Sequence, residues 1–215
     1  MITIKSFIFN SFEENTYVLS DSTGECVIID PGCHLKEEEE ELARYITGNA
    51  LRPVLLLNTH CHIDHVLGNR FVADRFGLKL FIHATEQQVL DSSSAVSMMY
   101  GIQMSPSPAP EAYLAEGDTV TFGNSSLKVI FTPGHSPGSI SFYNEAQRFL
   151  ISGDVLFRMS IGRTDLPGGN FETLIKSITT GLMPLGDEVT VYSGHGEPTT
   201  LGFEKQYNPF LTQTV

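Results

Sequence analysis

A chain of 215 residues with 41% apolar and 18% charged residues is ordinary for a soluble globular protein and long enough for one sizeable core, so a single domain over 1–215 is expected. The formal net charge of −12, unrelieved by any Lys/Arg cluster, repels polyanions and argues against nucleic acid as a partner. No run approaches the ~20 apolar residues of a membrane helix, and three cysteines, Cys26, Cys33 and Cys61, are an odd, unpaired set that suits a reducing, cytoplasmic setting.

The opening "MITIKSFIFNSF" has no basic start or cleavage site and reads as a first strand over 2–9. Strands over 15–20 and 25–30 follow. The run "KEEEEELARYI" could pass for an acidic binding tail, but carboxylates in a first helical turn favour the macrodipole, and Leu42, Tyr45 and Ile46 supply an inward face. It reads as a solvated helix ending near Gly48. The apolar strand "PVLLLN" leads to a histidine-rich loop, a helix near 66–76 closed by Gly77, the strand "LKLFIH" and a helix over "TEQQVL". Residues 91–116, rich in Ser, Pro and Met, read as a loop-rich insertion. Strands then recur at "TVTFG", "SLKVIF", "SISFY" and "RFLISGD", followed by a helix near 171–180 and the strand opening "EVTVYSGHG". "TYVLSDSTGECVIID" and "SISFYNEAQRFLISGD" share a strand, turn, strand and terminal aspartate, which suggests a duplicated unit. Mixed strands with interspersed helices predict a layered α/β arrangement of two sheets covered by helices.

"NTHCHIDHVLGN" concentrates the chemistry. His60 and His62 would diverge on a helix but share a face in an extended segment; Asp64 continues that face and His65 turns toward it as the chain enters the next helix. Elsewhere His135, Asp154 and His195 each sit just past the end of a strand, where α/β proteins assemble sites. For any one histidine a structural role is the default, but five of the seven histidines with two aspartates in Gly-flanked turns point to a metal site. Imidazole and carboxylate without a paired thiolate suit zinc or iron with room for water. Cys61, between two donors, should face the opposite way and pack, and His83 reads as structural.

The blocks "HCHIDH", "TPGHSPGS", "SGDVLF", "GRTDLPGG" and "SGHGEPT" resemble the metallo-β-lactamase superfamily, in its glyoxalase II-like hydrolase branch, over most of the chain. The resemblance implies a four-layer αββα sandwich of two mixed sheets flanked by helices. It also implies two metal ions, zinc with iron or manganese as substitutes: His60, His62 and His135 would hold the first and Asp64, His65 and His195 the second, with Asp154 bridging. Glyoxalase II carries a C-terminal helical domain for glutathione, whereas this chain stops soon after His195 and is expected to lack it. Asp154 stands where many β-lactamases of the superfamily have Cys, which argues against antibiotic hydrolysis.

Two metals can share a hydroxide whose parent water has its pKa drawn from 15.7 toward ~7, a nucleophile at neutral pH that attacks an ester-like carbonyl. Asp64 would orient it and is the expected catalytic residue. A thioester suits such a site, because a thiolate leaves without a proton donor. The site charge of about +1 from two dications, two carboxylates and a hydroxide welcomes an anionic substrate. Arg163 is the candidate substrate contact, with a structural ion pair to Asp165 or another carboxylate as the competing role. Asp30, in "VIIDPG", would orient a ligating histidine unless it only forms a turn. Met98, Met99, Tyr100 and Met104 are the candidate apolar wall for a small-molecule acyl or thioester substrate. The competing functions are an iron-dependent persulfide dioxygenase on the same framework and a non-catalytic metal-binding protein.

Overall fold

The computed structural model describes residues 1–212, which divide into two compact units. The first comprises Met1–Leu114 with Thr121–Ser126, the second Ala115–Val120 with the residues from Leu127 on.

The first unit is built on a six-stranded sheet ordered β1-β2-β3-β4-β5-β6, with β1 at Thr3–Phe9, β2 at Glu14–Ser20, β3 at Glu25–Ile29, β4 at Arg52–Leu57, β5 at Leu80–His83 and β6 at Pro110–Leu114. β1, β2 and β3 pair antiparallel and β3 to β6 pair parallel. Parallel neighbours need crossover connections, and helices supply them. The acidic run forms α1, Lys36–Gly48, with Leu42 and Ile46 buried. Glu38 reaches back from its first turn to the amides of His34 and Leu35 at 2.8 and 3.0 Å, satisfying donors the helix cannot pair. α2 (Ile63–Val66) and α3 (Asn69–Phe76) follow the histidine loop, and Gly77, at φ +67°, ends α3 in a left-handed cap. Val18, Ile28, Leu42, Leu56, Val72 and Leu80 belong to one buried core.

The expected loop over 91–116 is corrected by the structure. α4 runs from Gln87 to Met99 and β6 occupies Pro110–Leu114, leaving about ten residues between them irregular. The serines misled. Leu90, Ser93 and Ser97 lie one helical turn apart and are all buried, so small side chains let the helix sit close to its neighbours, and packing outweighs their modest propensity. No Gly or Pro interrupts until Gly101.

The second sheet runs β14-β13-β10-β9-β8-β7, with β7 at Thr119–Phe122, β8 at Ser125–Phe131, β9 at Ile140–Asn144, β10 at Phe149–Gly153, β13 at Thr190–Ser193 and β14 at Thr199–Thr200; β11 (Leu156–Phe157) and β12 (Ser160–Ile161) form a small hairpin. β10 pairs parallel to β13 and antiparallel to β9. α5, Phe171–Lys176, continues as one π-helical stretch to Leu182. Leu174, Ile178 and Leu182 pack with Leu150, Val189 and Val191 in this unit's own core. α6 (Leu201–Tyr207) and α7 (Pro209–Thr212) close the described chain. No described helix is long and apolar enough to cross a membrane.

Candidate metal centre

In the first unit the donors lie directly beyond β4. The chain leaves the sheet at Asn58, bends at Thr59, and is extended at His62, at φ −64° and ψ 154°, the last residue before α2. The period-two face is real: the His60 and His62 rings stand edge to face with centroids 4.8 Å apart. The turn into α2 brings His65 to 4.1 Å from His60, ring to ring, and Asp64 Oδ2 to 3.5 Å from His65 Nε2. His60 and His65 are buried.

Asp30 organises this loop. It is buried, holds a left-handed φ of +50°, and accepts from Thr59 N at 2.7 Å and Thr59 Oγ1 at 2.5 Å, with Asn58 Nδ2 at 3.3 Å and His65 Nδ1 at 3.2 Å. It is therefore more than a turn former. Because Thr59 has one hydroxyl proton and gives it to Asp30, its contact with His60 Nδ1 at 3.1 Å makes that nitrogen the donor. His65 Nδ1 likewise donates to Asp30. Both rings are thus set in the tautomer whose Nε2 carries a lone pair suited to a metal.

Three acidic or amide residues that sequence reading missed support the same loop. The Glu14 carboxyl, buried, lies 3.9 Å from His65 Nδ1; burial pushes its pKa up, His65 and the Thr16 hydroxyl pull it down, and Asp30 and Asp64 push it further up. Glu86 accepts the Cys61 amide at 2.7 Å. Asn10 donates through Nδ2 to Gly32 O and Asp64 O, each at 3.0 Å. Glu14 follows Glu13 in a turn-like stretch, and Glu86 falls on an expected helix; surface carboxylates are the rule in both settings, so nothing in composition marked them. The one available signal was Glu86's place just past a strand end.

In the second unit His135, Asp154 and His195 sit past β8, β10 and β13. His135 Nδ1 donates to the Arg163 carbonyl at 2.8 Å, an acceptor only, so this ring too presents Nε2. Asp154 Oδ2 lies 3.5 Å from the Nε2 of both His135 and His195, the position of a carboxylate shared between two imidazoles. The strand ends are pinned: Asn170 N bonds Gly134 O at 2.7 Å, Gly194 N bonds Gly153 O at 3.0 Å, and Ser193 Oγ bonds His195 O at 2.7 Å. Gly162 is obligatory, since a Cβ there would fall 1.9 Å from Asp154 O and 3.0 Å from His135 Nδ1.

The donors fit a metal by their chemistry. Each unit gathers imidazoles around a carboxylate, the Nδ1 atoms of His60, His65 and His135 held in hydrogen bonds, and the first unit adds buried acids whose mutual repulsion a cation would relieve. Within the first unit, Asp30, His60 and His65 place donor atoms within 4.8 Å of one another, although Asp30's bonds to Thr59 and His65 make it an orienting group. The thiol of Cys61 is buried in the first core, and burial pushes its pKa up, so it is no thiolate ligand. His83 caps a short 3-10 turn, accepting from Thr85 N.

The candidate substrate residues separate. The Arg163 guanidinium is engaged by Asp165 in two bonds of 2.7 Å, and its service to the site runs through its carbonyl. Met98, Met99 and Tyr100 are 75%, 84% and 56% exposed at the end of α4, and Tyr100 meets Phe12 edge to face at 5.5 Å. Met104 packs instead against the first core and lines a cavity of about 460 Å³ with Leu67, Arg70, Phe71 and Arg75.

A model of the metallo-β-lactamase superfamily matches residues 11–195. The probable metallo-hydrolase YqgX of Bacillus subtilis is 40% identical over 202 residues, 93% of this chain and 92% of that one. The hydroxyacylglutathione hydrolase GloC of Haemophilus influenzae is 34% identical over 203 residues, 94% of each. Among solved structures, the BLEG-1 B3 metallo-β-lactamase has 37% identity and a TM-score of 0.90, covering 98% of this chain and 100% of that one. TTHA1623 in a di-iron-bound form has 34% identity and a TM-score of 0.85 over 96% and 100%. Two large mixed sheets with flanking helices, the strand-end histidines and a family match across 11–195 agree, and the chain belongs to the metallo-β-lactamase superfamily, as a metal-dependent hydrolase.

Proposed function

We propose that the protein is a binuclear metallo-hydrolase acting on thioesters. The observation that carries this is the common tautomer of His60, His65 and His135, each holding Nδ1 in a hydrogen bond. In this reading His60, His62 and His135 bind one ion, Asp64, His65 and His195 the other, and Asp154 both, as family resemblance assigns them. When bound, the ions supply a nucleophile at neutral pH and a Lewis acid for the developing oxyanion. The chain's part is to hold the imidazoles through Asp30, Thr59 and Arg163 O, and to orient the attacking water through Asp64.

Met98, Met99 and Tyr100, with Phe12, supply an apolar wall for the acyl part. Phe12 N bonds Asn10 Oδ1 at 2.9 Å and Asn10 in turn holds Asp64 O, which ties the wall to the loop that bears the chemistry. The GloC relative supports glutathione thioesters as the first substrates to try, small neutral thioesters testing the apolar wall. The BLEG-1 relative adds a β-lactam to the panel. The di-iron relative favours a second reading, iron as the resident metal, and with it persulfide oxidation in place of hydrolysis. All three cysteines are buried thiols, in keeping with a reducing cytoplasm. The test is metal analysis of the purified protein, followed by hydrolysis of that panel and oxygen uptake with a glutathione persulfide. Thioester turnover abolished by chelation is expected; oxygen uptake without hydrolysis would move the function to the second reading.

A further inference from the structure

The His60–His65 loop is gripped at two separate points by residues that donate nothing to a metal. At Cys61 the side chain is buried in the first core while the amide is held at 2.7 Å by the buried Glu86 carboxylate. A residue anchored on both sides cannot rotate, and this one joins His60 to His62. The grip is rigid because Glu86 closes a 3-10 turn directly after β5, β5 pairs with β4 at Leu56 and Leu57, and Asn58 N bonds Phe81 O at 3.1 Å. A charged acceptor on a backbone amide is among the stronger hydrogen bonds available.

At Asp64 the grip is Asn10. It sits at the end of β1 with φ +53°, a conformation that Asn tolerates. Each polar atom of its side chain is used: Oδ1 accepts Phe12 N, and Nδ2 donates to Gly32 O and Asp64 O. Its own amide donates to Glu38 Oε1 at 2.7 Å, tying the turn to α1. Gly32 must be glycine for this approach, since a Cβ there would lie 2.6 Å from Asn10 Nδ2 and 2.6 Å from Asp64 O. Fixing the Asp64 carbonyl fixes the first turn of α2, from which Asp64 and His65 both project.

We propose that Glu86 and Asn10 are positioning residues that divide the loop between them, Glu86 governing the hold of His60 and His62 on one ion and Asn10 that of Asp64 and His65 on the other. This rests on the two-metal reading above. Removing a group that orients a ligand costs 10–100-fold in metal affinity, and here the loss should fall on one ion at a time.

The experiment titrates Zn²⁺ into metal-free protein against a competing chelator, for the wild type, Glu86→Ala, Glu86→Gln and Asn10→Asp. Asp suits the left-handed turn and retains an acceptor for Phe12 N, but cannot donate to Gly32 O or Asp64 O. Glu86→Gln retains an acceptor for Cys61. Two steps are expected in the wild type. Glu86→Ala should weaken one by 10–100-fold, with Glu86→Gln recovering most of it, and Asn10→Asp should weaken the other. The steps are assigned in a His62→Ala background, where Glu86→Ala adds no further loss and Asn10→Asp still does. In the metal-free protein, amide exchange of the 58–66 segment should quicken about tenfold in Glu86→Ala and Asn10→Asp. Variants that lower the thermal midpoint yet keep both zinc steps and normal exchange, or that weaken both steps alike, would overturn the proposal. Fewer than two steps in the wild type would instead defeat the two-metal reading, and the clamp would then stand or fall on exchange alone.

Discussion

Replacing Asp30 probes the loop's architecture through one carboxylate. It takes four contacts, from Thr59 N, Thr59 Oγ1, Asn58 Nδ2 and His65 Nδ1. Asp30→Ala leaves the Thr59 amide and the His65 ring without their acceptor in a buried site. At about 1–3 kcal/mol for each of these two buried orphans, the loss should be about 2–6 kcal/mol, a large share of the ~5–15 kcal/mol typical of a domain. Asp30→Asn separates charge from shape. The amide keeps the size and tolerates the left-handed φ of +50°, but whichever way it is turned one NH₂ faces a donor. The simplest relief is for His65 to lose its proton at Nδ1 and carry it at Nε2, the atom needed for a metal. A stability loss of about 1–2 kcal/mol with a 10–100-fold loss of zinc affinity is expected for Asn. Urea unfolding of the metal-free protein and competitive zinc titration read the two quantities separately. An unchanged unfolding midpoint in Asp30→Ala, or wild-type zinc affinity in Asp30→Asn, would refute the reasoning.

Asp21 ties the β2–β3 turn to residues 124 and 125, accepting from Thr23 N and Oγ1, Asn124 N and Ser125 Oγ. These bonds, the Thr23 hydroxyl first, hold its carboxyl well below the usual carboxylate range. A depressed folded pKa stabilises above the unfolded value near ~3.9 and is lost as pH falls toward the folded one. Asp21→Asn should cost about 1–3 kcal/mol at pH 7, and the gap in urea midpoints should close progressively below about pH 4; a pH-independent gap would contradict this. Gly162→Ala should drive apart Asp154 and His135, costing about 1–3 kcal/mol as an overpacked site and weakening zinc uptake, both measurable in the same titrations. Asp64→Asn should lower kcat at least 100-fold while the thermal midpoint moves little, because Asp64 lies in the first turn of α2, outside the apolar core.

Strand ends were the legible part of this chain. The period-two spacing of His60 and His62 survives in the ring geometry, although Asp64 falls in the first turn of α2 rather than on the same extended segment, and Gly and Pro punctuation placed His135, Asp154 and His195 past their strands. Asp30 was readable as a candidate because an aspartate before Pro-Gly follows an apolar strand, while its left-handed φ and its choice between turn former and orienting group came only with the structure. Glu14, Glu86 and Asn10 were not, since burial and long-range hydrogen bonding decide their roles and neither is a local property. The α4 segment failed for a related reason: buried Ser93 and Ser97 look like loop residues until a neighbour packs against them.

The most direct test is the rate of thioester hydrolysis as zinc is returned, in measured equivalents, to metal-free protein. Activity that climbs to a plateau at two equivalents per chain is the expected result. A plateau at one equivalent, or no thioester hydrolysis at any loading, would contradict the binuclear hydrolase.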